Sequence, residues 1–156
     1  MTPPPRTPIT ASPNIYLSGL SMPENGVDFL DPRWRRRWRQ ALRESTELAH
    51  IGRWCHLGLV LGSPAGTRAL RLERARIVED AELPGPDWPE RLELYGSQRA
   101  WAAFLAPVPP PFHNDLPALD RRQEDFEVRS GREVMVRHLR SPQLVFECAR
   151  QVGRGV

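Results

Sequence analysis

From Trp54 to Leu61 every second residue is apolar. Cys55, Leu57, Leu59 and Leu61 fall on one side, and Trp54, His56, Gly58 and Val60 fall on the other. That period of two predicts a strand with one buried face. The turn-forming Ser63–Gly66 (SPAG) leads to a second strand around Arg68–Arg74, where Leu70 and Leu72 alternate with Ala69, Arg71 and Glu73. Ile77 and Val78 suit a third strand. Leu92 and Leu94, set between Arg91, Glu93 and Tyr95, predict a fourth that Gly96 ends. A fifth is expected over Phe126–Arg129, with Phe126 and Val128 inward and Ser130 and Gly131 closing it.

Between these runs the apolar spacing changes to three and four. Asp31 followed by Pro32 predicts a helix start, a carboxylate cap and then a proline where its missing N–H costs nothing. The helix is expected to run to about Leu48, with Trp34, Trp38, Ala41, Leu42 and Ser45 on one stripe. Ser97 predicts a second cap, ahead of Trp101, Phe104 and Leu105 on one face. Pro107 stops that helix, and Pro109, Pro110 and Pro111 hold an extended segment that delivers Phe112, His113, Asn114 and Asp115 to a fixed place. A short helical turn is expected over Leu116–Asp120. Val134, Met135, His138 and Leu139 then form one apolar side, before Ser141 and Pro142 start a last helix with Leu144, Val145, Cys148 and Ala149 inward. These elements predict an α+β fold, a twisted, mostly antiparallel five-stranded sheet with helices packed on one face.

The 156 residues suffice for one domain and one core. Residues 1–27 are expected to form a flexible Pro-rich arm, with Ile15, Tyr16 and Leu17 as its docking point on the domain or on a second subunit of a homodimer. Residues 28–152 form the domain and 153–156 a disordered tail. All 22 cationic residues are arginine, yet the formal net charge is only +3, small for a nucleic-acid binder. The WRRRWR run of Trp34–Arg39 is therefore read as two core tryptophans with a solvated arginine back: Arg33, Arg36, Arg37, Arg39 and Arg43. Without a long apolar run or a leader, no integral membrane segment is expected, and the location expected is cytoplasmic. Cys55 and Cys148 belong to no CxxC pair and are read as reduced core residues.

The order of elements resembles the sterol carrier protein type 2 family, in its stand-alone bacterial form. The likeness is carried by the helix of Trp34 and Trp38, the strands through LHLGLVLG and ALRLERARIV, the strand–helix unit LELYGSQRAWAAFL, and the closing FEVRSGREVMVRHLRSPQLVFECAR. It covers roughly residues 28–152. The resemblance implies a pocket between sheet and helices for a sterol, a fatty acyl chain or another apolar molecule, with no cofactor.

On that reading the expected walls are Tyr95, Trp101, Phe104, Phe112 and Met135, with His113 near the mouth and His138 on the inner side of the closing helix. His113, Asn114 and Asp115 also suggest a second chemistry. A carboxylate beside an imidazole can orient it for acid–base work, which would make His113 and Asp115 catalytic in a cofactor-independent enzyme acting on a small apolar metabolite. Asp115 can equally cap the turn that begins at Leu116. The four histidines show no metal-ligand spacing, and neither a phosphate-binding nor a dinucleotide glycine motif is present.

Overall fold

A computed structural model describes residues 28–154. The expected Pro-rich arm and the last two residues of the expected tail, 155–156, lie outside the described residues. Helix α1 covers Pro32–Glu44; the Asp31 carboxylate accepts from the Arg33 amide (2.9 Å), and Trp34, Trp38 and Leu42 face inward. It ends sooner than expected. Ser45 takes extended backbone angles (φ −81°, ψ 111°), and its hydroxyl accepts from the Leu48 amide at 3.1 Å to start a separate helix, α2, over Thr46–Ile51. A serine hydroxyl that can satisfy a first-turn amide competes with helix continuation, and here it wins.

A 3₁₀ turn over Gly52–Trp54 follows, so β1 begins two residues later than the alternation predicted, spanning His56–Ser63 and leaving Trp54 exposed. Strands β2 (Gly66–Glu73), β3 (Arg76–Ala81), β4 (Arg91–Gly96) and β5 (Phe126–Ser130) complete one sheet in the order β3-β2-β1-β4-β5. Three of its pairings are antiparallel; the central pairing of β1 with β4 is parallel.

Register brings the leucines together: Leu57 opposes Leu72, Leu59 lies between Leu70 and Leu92, and Leu61 pairs with Leu94, which faces Val128. All of them are buried, which makes this the core face. The opposite face carries Gly58, Val60 and Gly62 in β1. A Cβ on Gly58 would meet the Trp88 ring at 3.0 Å, and one on Gly62 would meet Tyr95 at 3.0 Å, so these glycines let two aromatic rings lie close to the strand.

Helix α3 (Gln98–Phe104) is capped by Ser97, whose hydroxyl accepts from the Ala100 amide at 3.0 Å. Helix α4 (Leu116–Arg122) is capped by Asp115. Helix α5 (Arg132–Arg137) follows Gly131, and α6 begins at Arg140, just ahead of the expected Ser141. The apolar side expected over Val134–Leu139 is narrower than its spacing suggested: Val134 and Met135 are buried, His138 is the C-cap of α5, and Leu139 is 43% exposed. Helices α1 and α2 pack on α6. Leu144, Val145, Cys148 and Ala149 all point inward from α6, as expected.

Candidate functional site

Between the core face of the sheet and the helices runs a layer of aromatic rings. Trp101 lies at its centre, with Phe29 at 5.1 Å, Phe126 at 5.3 Å, and Phe104 and Phe146 each at 6.2 Å between ring centroids. Phe146 continues it to Phe104 (5.1 Å) and Trp38 (5.8 Å), and Trp38 reaches Trp34 at 5.2 Å. Edge-on and tilted packing of this kind adds to the burial of the rings themselves.

The three tryptophans of this layer differ in their polar atom. Trp101 Nε1 donates to the Gly62 carbonyl (2.8 Å) and Trp38 Nε1 to the Val145 carbonyl (2.9 Å). Trp34 Nε1 is buried with no acceptor among the described residues. A buried N–H without a partner forfeits about 1–3 kcal/mol, so this atom is an open hydrogen-bonding position inside an apolar layer.

The proline segment follows helix α3. Its turn is closed by the His113 amide donating to the Pro110 carbonyl (3.1 Å), and the His113 ring places Nδ1 3.0 Å from the Pro111 carbonyl. A carbonyl can only accept, so Nδ1 is the donor in this contact. Of the two roles open to Asp115, the structure forms the cap: Oδ1 accepts from the Ala118 amide at 2.7 Å. No hydrogen bond joins Asp115 to His113 in this structure.

Arg150 of α6 holds this segment from below. Its Nε donates to the Phe104 carbonyl (2.8 Å) and its Nη2 to the Asn114 carbonyl (3.0 Å), with the guanidinium 4.9 Å over the Phe104 ring. Neither Arg150 nor Gln143, which also donates to Asn114 O (2.8 Å), was among the residues expected here. Their signal was present in the helical spacing of Gln143, Phe146, Glu147 and Arg150, which puts polar groups next to an apolar stripe.

The expected wall residues therefore divide. Trp101, Phe104 and Met135 are buried. Phe112, at φ 66°, is 52% exposed, with the Arg122 guanidinium 4.5 Å from its ring. Tyr95 lies on the opposite face of the sheet from Trp101, under the Arg129 guanidinium at 3.9 Å, because period two sets it against its neighbour Leu94. His113 and His138 are half-buried.

Cys55 and Cys148 are buried free thiols, and burial pushes the Cys55 thiol up to about 11. Among the described residues no three His, Cys, Asp or Glu side chains gather as metal ligands, and no helix is long and apolar enough to cross a membrane.

No family model and no curated protein matches this chain. Among solved structures, it is similar to a conserved hypothetical protein from Thermus thermophilus, for which sterol carrier protein is offered as an open suggestion. The TM-score is 0.58 at 18% identity, over 81% of this chain and 91% of that one. The two share a fold, which in this chain is a five-stranded mixed sheet with helices packed on it.

Proposed function

We propose that this protein binds an apolar small molecule or lipid, such as a sterol or a fatty acyl chain, between its sheet and its helices. The observation that carries the reading is the open N–H of Trp34 within the aromatic layer. A purely structural core has no use for an unanswered donor, whereas a ligand oxygen would accept from it while the rings surround the apolar remainder. The fold shared with the Thermus protein supports the same reading. Burial supplies the affinity, at roughly 25 cal/mol per Å² of apolar ligand surface.

Native mass spectrometry of the purified full chain, with organic extraction and titration of a fatty acid and a sterol, tests it. A stoichiometric co-purified lipid, or saturable binding of either probe, is the expected result. An empty protein that takes up neither probe overturns the reading.

A further inference from the structure

The face of the sheet turned away from the aromatic layer is shaped by two glycines. Trp88 lies over Gly58 and Tyr95 over Gly62, each ring 3.0 Å from where a Cβ would stand, and both rings are half-buried. Val60 stands between them on β1, with Ala69 beside it on β2 and Ala81 beyond on β3. The result is a shallow saddle, with a ring at each end and a low apolar floor. Ala69 is 0% exposed there, although its partners across the strands, Val60 and Ala81, are short side chains. That is the burial of a covered floor, not of an open sheet face.

The charges around the saddle are paired with one another. Arg71 sits 2.7 Å from Glu79, Arg129 2.7 Å from Glu127 and Arg91 4.0 Å from Glu93. The occupant this face fits is therefore neutral and apolar.

One segment of this chain has that chemistry and starts in the right place. Residues 1–27 carry only Arg6 and Glu24 as charged side chains, and their longest apolar run is Ile15, Tyr16 and Leu17. They join the described domain at Asp28. Leu30 then packs on Gly66, its Cδ1 3.3 Å from where a Cβ would stand. Gly66 pairs with Ser63, next to the Gly62–Thr67 pair beneath Tyr95. The segment thus leaves the sheet at the Tyr95 end of the saddle. The 11 positions from Leu17 to Asp28 reach up to about 36 Å when extended, whereas Ser63 to Val60 is only about 10 Å along β1.

The sheet edges suit it less. The Ile77 carbonyl of β3 already accepts from Arg39 Nε, and the Val128 amide of β5 already donates to Asp120. Six of residues 1–27 are proline, which cannot donate to a ladder.

From this we infer that the N-terminal segment folds back on its own domain and seats Ile15, Tyr16 and Leu17 in the saddle, between Trp88 and Tyr95 and over Val60 and Ala69. The contact shields the outer face of the sheet from other molecules. It is separate from the aromatic layer and stands whether or not a lipid binds there.

The test places a nitroxide on Ser18→Cys in the ¹⁵N-labelled full chain; Cys55 and Cys148 are buried, which directs the reagent to position 18. Amide peaks of 58–62, 69 and 95 are expected to lose intensity relative to the same sample with the nitroxide reduced. Leu17→Asp, which leaves every residue of the domain in place, should restore them, and so should Val60→Arg from the other side of the contact. A mixture of spin-labelled ¹⁴N chain and label-free ¹⁵N chain should show no loss. Loss confined to other residues, no loss at all, loss that persists in Leu17→Asp, or equal loss in the mixture, which would mean that the segment seats on a second copy, would each overturn the inference.

Discussion

Asp120 Oδ1 accepts from the Val128 amide at 2.9 Å, while the same carboxylate receives Arg132 Nε at 2.9 Å and Nη2 at 3.0 Å. Val128 belongs to β5, an edge of the sheet, so this side chain from α4 occupies a donor that would otherwise be open to another strand. At the other edge Arg39 Nε donates to the Ile77 carbonyl of β3 (3.2 Å).

Burial alone would raise the Asp120 pKa, but the hydrogen bonds from Arg132 and the Val128 amide outweigh it and hold the carboxyl below the ordinary range. A depressed folded pKa stabilises above the unfolded value, near 4, and that stabilisation is lost as pH falls through the folded value. Asp120→Ala should therefore cost about 1–3 kcal/mol in urea unfolding at pH 7, with a gap from the parent that narrows below about pH 4. A gap that stays constant across this range would remove Asp120 from the role.

The tryptophan N–H groups predict an order of stability effects. Trp101→Phe removes the donor to the buried Gly62 carbonyl as well as ring volume, whereas Trp34→Phe removes ring volume and no hydrogen bond to a described residue. Trp101→Phe is expected to be the more destabilising by about 1–3 kcal/mol in denaturant unfolding. Equal losses would mean that the Gly62 bond contributes nothing net, or that Trp34 Nε1 has an acceptor in solution.

Much of this architecture was legible because it is local. Leu57, Leu59 and Leu61 follow the pleat, Trp34 and Trp38 follow the helix, and Asp31, Ser97 and Asp115 cap as their chemistry dictates. What was missed depends on long-range or competing effects. The parallel pairing of β1 with β4 joins strands separated by a hairpin, a third strand and a loop, and no periodicity encodes it. Ser45 can continue a helix or cap one. Tyr95 follows the alternation too, which opposes it to Leu94 and sets it on the other face of the sheet, against Gly62. Phe112 follows three prolines, and its positive φ was not readable from its own side chain. Arg150 went unread because arginine is expected on the outside, and its guanidinium is buried against backbone carbonyls.

Gly131 sits between β5 and α5 at φ 93°, a region L side chains rarely adopt, and a Cβ there would lie 2.2 Å from the Arg91 carbonyl oxygen and 2.9 Å from Leu92 Cα. Both contacts are with the backbone of β4, which cannot swing aside. Gly131→Ala thus combines backbone strain with a clash and is expected to cost about 3 kcal/mol or more, among the larger effects of single substitutions. Thermal unfolding measures it, and a loss below about 1 kcal/mol would mean that the β5–α5 corner adjusts freely.

Cys55 lies 1% exposed between the 3₁₀ turn and β1, with its carbonyl accepting from the Ala75 amide at 3.1 Å. The thiolate is the reactive form, and burial raises this thiol to about 11, so both access and ionisation oppose attack. Cys148 is also buried, and burial raises its pKa too. At pH 8 the native protein should therefore react with a thiol reagent such as iodoacetamide far more slowly than the same chain in urea, where both cysteines regain ordinary values near 8.5. The linkage sign follows. A thiol whose folded pKa is raised stabilises the fold fully below the unfolded value, and over this pH range the unfolded chain releases its proton first. Stability should accordingly fall as pH rises past about 8.5, and Cys55→Ser should flatten that fall while lowering stability at pH 7. Mass-resolved alkylation at several pH values reads both thiols separately. Rapid labelling of Cys55 under native conditions would mean that the turn at Gly52–Trp54 opens far more readily than its packing implies.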